Sequence, residues 1–94
     1  MLVKLREVYR TDTNYSAPHS YASREVLINT AHVVRVTENA EMPVKITEGV
    51  VTGVESTNYC NVVIGSGQYS QELVVESSLR DLQNLLYGKE LLNG

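Results

Sequence analysis

Residues 59–87, YCNVVIGSGQYSQELVVESSLRDLQNLLY, decide the fold of this chain of 94 residues. Residues 59–64 place every second apolar side chain on one face, as a strand with a buried face does. The glycines of residues 65–67 predict a reversal, and residues 71–76, QELVVE, predict the returning strand. The first part of the stretch is therefore expected to form a β-hairpin.

The spacing of apolar residues changes after the hairpin. Apolar residues recur at helical spacing from Leu79 to Leu86, with polar residues between them. Ser78 is suited to cap the first turn of a helix. The spacing predicts a helix over residues 78–87, followed by a tail, residues 88–94.

Upstream of the hairpin, four further segments have strand character. A long polar segment, residues 10–23, has no apolar period and is expected to be a loop of unusual length. The predicted strands are residues 1–9, 24–29, 32–37 and 44–54. Pro43 is interpreted as a helix breaker at the end of a polar connection.

These segments predict one mainly β (α+β) domain, residues 1–94. About six antiparallel strands should curl toward a small barrel, with one short C-terminal helix, because short connections favour antiparallel neighbours. The expected core residues are Val3, Leu5, Val26, Ile28, Val34, Val36, Val44, Ile46, Cys60, Val62, Ile64, Leu73, Val75, Leu79, Leu82 and Leu86.

The composition agrees with strands and narrows the class of protein. Val and Ile together number 17 and Ala only 4, a balance that favours β structure. No apolar run reaches the length of about 18 residues that a membrane-spanning helix needs. With one Cys, no internal disulfide can form. We expect a cytoplasmic protein without membrane contact.

Candidates for catalysis and metal binding are few. His19 and His32 are the conventional bases, and Cys60 shares its strand face with apolar residues, which predicts an inert buried thiol. The spacing of these three residues differs from clustered metal ligands. Gly65 and Gly67 lack the Lys-Ser/Thr of a phosphate-binding loop. We expect no enzyme activity, no catalytic residue, no metal and no cofactor.

A basic strand face gives one alternative function. Lys4, Arg6 and Arg10 lie on one face of the first strand, with Tyr9 beside them. Basic stripes with aromatic residues are how β-sheets hold single-stranded nucleic acid. Charged residues on a strand face also keep a protein soluble and protect a strand edge from pairing with another chain. The net charge of the chain, −3, also does not favour binding to nucleic acid. A nucleic-acid-binding regulator is therefore kept as the alternative.

Two tyrosines of the long polar segment suggest protein contacts. Tyr is enriched at protein interfaces because it adds amphipathic area at low entropic cost. Tyr15 and Tyr21 are candidate partner contacts on this ground. The other interpretation is that the segment folds back and its tyrosines cover the barrel; the sequence leaves both open.

Two stretches resemble a known family. Residues 24–36, REVLINTAHVVRV, and 60–86, which contain VVES, have the order of strand, kink, strand, glycine turn, strand and short helix found in small flagellar and swarming-motility proteins of the FlbD type. The resemblance implies a non-enzymatic accessory protein acting on a larger machine. Short β-rich proteins are also frequent among phage genes, so a phage origin stays open.

Self-association is predicted because the second face of the strands also carries apolar residues. Val33, Val51, Val63 and Val74 have the parity opposite to the expected core residues, so they would form an apolar patch. Such patches usually mark interfaces, and a symmetric homo-oligomer is the commonest way to cover them. The alternative is that other parts of the chain cover this face. The expected function is binding or assembly through protein–protein contacts, with the chain itself and an unidentified protein as partners.

Overall fold

The computed structural model describes residues 1–12, 19–52, 58–66 and 68–87. In these ranges the sheet has six strands, and a 3₁₀ turn at Thr30–His32 links two of them. The strands are β1 (Leu2–Arg10), β2 (Ser20–Asn29), β3 (Val33–Glu38), β4 (Val50–Thr52), β5 (Tyr59–Ser66) and β6 (Tyr69–Glu76). The helices are α1 (Met42–Glu48) and α2 (Leu79–Tyr87). Neither helix is long and apolar enough to cross a membrane.

The strands form one open sheet in the order β3-β5-β6-β1-β2-β4. Five strands pair antiparallel, whereas the short β4 pairs parallel with β2. The mainly β class is confirmed, but the expectation of six antiparallel strands curled toward a barrel is wrong. A helix packs on each face of the sheet, so two hydrophobic clusters form without closure of the sheet around a central core.

The first hydrophobic cluster lies between α2 and one face of the sheet. Leu82 and Leu86 of α2 pack there against alternate residues of the central strands. Ser78 caps the helix, because its Oγ accepts a hydrogen bond of 3.1 Å from the Asp81 amide. The predicted C-terminal helix is confirmed. Nine of the predicted core residues are buried in this cluster, namely Val3, Leu5, Ile28, Cys60, Val62, Leu73, Val75, Leu82 and Leu86.

A second hydrophobic cluster lies on the opposite face of the sheet. Met42 of α1 is buried there with Val8, Tyr21 and Tyr59, and Ile46 and Val74 pack against them. Tyr59 and Val74 have the opposite parity to their buried strand neighbours, which places this cluster on the other side of the sheet. This second core was not predicted from the sequence. The face that the prediction left uncovered is in part covered by α1.

Helix α1 replaces the first half of the strand predicted for residues 44–54. Val44, expected in the core, is 57% exposed as a result. Pro43 lies in the first turn, where its missing N–H costs no hydrogen bond. Asn39 stabilises the turn that leads into the helix, since its Oδ1 accepts hydrogen bonds from the amides of Glu41 and Met42. Asn39, with Pro43 four residues later in the first helical turn, was the available signal for a helix start.

The connection after β1 is shorter than the loop predicted for residues 10–23. Strand β2 begins at Ser20, and pairing with β1 extends to Arg10 opposite Tyr21. Asp12 closes this end of the hairpin, because its Oδ1 accepts a hydrogen bond of 3.1 Å from the Ser20 amide. The strand was not predicted over residues 20–23, because these residues are mostly polar. Its buried side chain in this part is Tyr21.

Candidate protein-binding surface

Strand β3 forms one edge of the sheet. It pairs with β5, and among the described residues no other strand lies on its outer side. The ladder shifts between Val33 and Arg35, which marks a β-bulge at Val34. Beyond the bulge, residues 35–38 pair with β5 without interruption. Within the described part of the chain, this uninterrupted stretch is a short strand edge of the kind to which another chain can add.

The bulge changes the direction of three valines. Val33 and Val36 both pack against the first cluster, although strict alternation would place them on opposite faces. Val34, which the sequence places in the core, is 68% exposed. Its exposure is a correction to the predicted core, and its physical reason is the extra residue in the ladder.

A groove runs between β3 and α2, and we call it the β3 groove. Its volume is about 510 Å³. The residues that line it are Val34, Arg35, Val36, Leu79, Gln83 and Tyr87. Leu79, also expected in the core, is 41% exposed here, and Tyr87 is 43% exposed. Exposed apolar side chains of a strand and a helix therefore lie beside a strand edge with which no described strand pairs.

Of the predicted partner contacts, Tyr21 and Val63 do not line the β3 groove. Tyr15 lies outside the described residues. Tyr21 is 7% exposed within the second cluster, so the structure favours the interpretation that it covers the sheet. Val63 lies next to β3, opposite Arg35, and is half-buried.

The valines of the predicted apolar patch do not form one surface. Val33 packs against the first cluster and Val74 against the second. The side chain of Val51 is outside the described part of the chain. The patch as predicted is therefore wrong for Val33 and Val74, because a bulge turns one inward and α1 covers the other.

The basic residues of β1 are paired with acidic groups. Lys4 lies 3.8 Å from Glu25, and Arg6 lies 3.9 Å from Glu76. Arg6 also donates a hydrogen bond of 2.8 Å to the Ser23 hydroxyl. This face is therefore mixed in charge, and a phosphate would compete with carboxylates for both cations.

Arg10 and Tyr9 are likewise engaged. Arg10 Nε lies 3.2 Å from Asp12 Oδ1. Tyr9 is on the opposite face from the basic residues, by alternation, and the Arg24 guanidinium lies 4.4 Å from its ring centroid. The structure thus separates Tyr9 from the cations that it was expected to accompany. Arg24 also donates a 2.8 Å hydrogen bond to the buried Glu7.

A smaller hollow lies near the start of β2. His19 Nδ1 is 3.3 Å from Asp12 Oδ2, and Arg10 and Lys45 stand at the same hollow, whose volume is about 320 Å³. Partial burial opposes ionisation of Asp12, but hydrogen bonds from the Ser20 amide, His19 and Arg10 outweigh it and lower the pKa of Asp12 to about 2. Asp12 thereby fixes Arg10 and His19 in place.

Cys60 and the histidines do not come together. Cys60 is fully buried in the first cluster, where its thiol donates to the Ser77 carbonyl oxygen at 3.3 Å. Burial, and next the negative charge of Glu38, raise the pKa of this thiol. His32 lines a hollow at the tip of the β5–β6 hairpin with Tyr69. In the described ranges no three His, Cys, Asp or Glu residues are grouped as metal ligands.

Comparison of the chain with known proteins found no matching family model and no significant match among curated proteins or solved structures. The β3 groove is therefore identified as a candidate site from its geometry alone. The groove was not predictable from the sequence, because Val34 and Leu79 have the parity and spacing of core residues. Only the bulge and the placement of α2 show that they are exposed.

Proposed function

We propose that this protein is a non-enzymatic binding or assembly protein that acts through protein–protein contacts at the β3 groove and the adjoining edge of β3. One observation carries the proposal. Exposed apolar side chains from two elements line a concave surface alongside a strand edge that no described strand pairs with.

This combination suits an extended polypeptide as the ligand. Main-chain hydrogen bonds to the open edge supply affinity, and alternate side chains of the added strand reach into the groove and supply specificity. Val34 and Val36 on one wall and Leu79 and Tyr87 on the other offer apolar area that binding would remove from water. The resemblance of residues 24–36 and 60–86 to FlbD-type proteins supports an accessory role on a larger assembly.

The nucleic-acid alternative has less support from the geometry. Lys4, Arg6 and Arg10 each have a carboxylate within 4 Å, and Tyr9 is on the other face. We expect a labelled single-stranded oligonucleotide to bind weakly in fluorescence anisotropy at low salt. Affinity that falls steeply with salt, with a slope that Lys4→Ala flattens, would instead favour nucleic acid.

A matched pair of valine variants tests the proposed surface. Val34→Lys places a charge in the β3 groove, whereas Val44→Lys changes a similarly exposed valine on α1, on the other side of the sheet. Neither side chain is in a core cluster, so both variants should fold as the wild type does, which circular dichroism would check. Affinity purification from the native host with quantitative mass spectrometry compares the three proteins.

We expect the wild type and Val44→Lys to retain partner proteins that Val34→Lys loses. Equal retention by all three proteins would place the binding surface elsewhere. Loss with Val44→Lys alone would assign it to the α1 face of the sheet.

A further inference from the structure

We propose that the hollow beside His19, near the start of β2, is a binding site for a small organic anion whose apolar body lies over the second hydrophobic cluster. We call it the β2 hollow. It lies on the face of the sheet that α1 covers in part, and none of the described residues that line it lines the β3 groove. The site is therefore separate from the surface of the proposed function.

The floor of the β2 hollow is formed by the second hydrophobic cluster. Val8, Tyr21 and Met42 are buried in that cluster and line the hollow together with Val74. These side chains come from three strands and α1, so the floor is built by packed elements. The volume of about 320 Å³ is that of a small-molecule site, and such sites are mostly apolar with a few polar groups. An apolar ligand body would leave water here for contact with the cluster.

Three basic side chains stand at the rim of the β2 hollow, namely Arg10, His19 and Lys45. Arg and Lys side chains are positively charged at neutral pH. Asp12, whose carboxylate bonds to Arg10 and His19, offsets one positive charge. Glu41 reaches Lys45 at 3.9 Å, but its side chain is 84% exposed and does not line the hollow. An ion pair so exposed is weak, so the rim keeps positive charge for an anionic ligand.

Local packing holds the basic groups in position. The Asp12 carboxylate accepts a hydrogen bond of 3.2 Å from Arg10 Nε. On the side of α1, the Gly49 amide donates to the Lys45 carbonyl oxygen at 2.9 Å. A Cβ at Gly49 would lie only 2.6 Å from the His19 carbonyl oxygen, so the end of α1 lies directly against the start of β2. Walls fixed in this way reduce the ordering that a ligand would otherwise have to impose.

The floor and the rim together select a ligand with two parts. A carboxylate or phosphate group beside Arg10 and Lys45 would form charge-assisted hydrogen bonds, which are the stronger ones. An aromatic body would lie over Tyr21 and Met42, where ring and thioether contacts with an aromatic ring are favourable. A neutral molecule of the same shape lacks the first set of contacts, and a short anion lacks the second.

NMR titration of the full chain with four probes tests both parts of this ligand. Benzoate and phenyl phosphate combine an anionic group with an aromatic ring, benzamide replaces the charge by a neutral amide, and acetate removes the ring. At least one of the two aromatic anions should bind in the millimolar range and shift amide signals of residues 8–10, 19–21 and 42–46. Benzamide and acetate should bind at least about tenfold more weakly, because each lacks one set of contacts.

A matched pair of lysine variants tests the position of the site. Lys45→Gln and Lys4→Gln each remove one positive charge from an exposed side chain, so their effects on the net charge are equal. Lys4 does not line the β2 hollow. Lys45→Gln should weaken binding of the aromatic anion about two- to fivefold, as loss of one exposed charge contact does, whereas Lys4→Gln should leave it unchanged. The spectra without ligand show whether both variants keep the fold.

Absence of binding by both aromatic anions would overturn the site, and so would benzamide or acetate binding as tightly as they do. Signal shifts at residues 34–36 and 79–87 would place the ligand in the β3 groove instead. Equal losses with Lys45→Gln and Lys4→Gln would reduce the effect to net charge. If Lys45→Gln does not fold, the four probes on the wild type still decide. None of these results changes the comparison of Val34→Lys with Val44→Lys, which tests the proposed function.

Discussion

Truncation of Met42 tests whether residues 42–48 form a helix that covers the second face of the sheet. Met42 is 5% exposed in the second cluster, between α1 and the side chains of Val8, Tyr21 and Tyr59. Met→Ala changes at buried sites cost about 2 to 5 kcal/mol of unfolding free energy. Each kcal/mol lowers the melting temperature of a domain of this size by about 4–8 °C, so a loss of at least about 8 °C is expected.

Val44→Ala is the matched control for this prediction. Val44 is 57% exposed on the same helix, and a surface change of this kind alters stability by less than about 0.5 kcal/mol. The strand predicted from the sequence over residues 44–54 demands the reverse order, with Val44 in the core and Met42 in a connection. The two arrangements therefore predict opposite rankings of two simple variants.

Thermal denaturation and urea denaturation, both followed by far-ultraviolet circular dichroism, measure the two variants. All samples need the same protein concentration, because self-association would add a concentration-dependent contribution to stability. A shift of the midpoint for Met42→Ala at unchanged slope is the expected result. A larger loss for Val44→Ala than for Met42→Ala would refute the helix and the second cluster together.

Two further predictions concern titratable groups. The pKa of Asp12 is about 2 in the fold, below its ordinary value of 3.8. Ionised Asp12 therefore stabilises the protein above about pH 4, and this contribution is lost as the pH falls toward 2. The unfolding free energy of Asp12→Asn should depend less on pH across this range, and an unchanged profile would contradict the hydrogen bonds that we assign to Asp12. Cys60 is fully buried, and the pKa of its thiol is raised. A thiol-reactive probe should therefore label Cys60 slowly in the native protein and rapidly in denaturant. Rapid labelling of the native protein would disprove the burial of Cys60.

The β-hairpin of β5 and β6 and the helix α2 were predictable because their signals are local. Alternation places Cys60 and Val62 on one face, and helical spacing joins Leu82 to Leu86. These periods depend only on backbone geometry, and the buried residues confirm them. The binding surface was not predictable in this way, because Val34 and Leu79 follow the same periods and are nevertheless exposed.

What the sequence determined by itself is the β character of the chain, the short C-terminal helix and most of the first hydrophobic cluster. Tertiary structure alone decided the order of the strands, the parallel addition of β4 and the pairing of Lys4, Arg6 and Arg10 with carboxylates. It also decided that Met42 and Tyr59 meet in a second core. The physical reason is that each of these features joins residues far apart in the chain, whose proximity no local period encodes, and that one extra residue in β3 is enough to turn a core valine toward solvent.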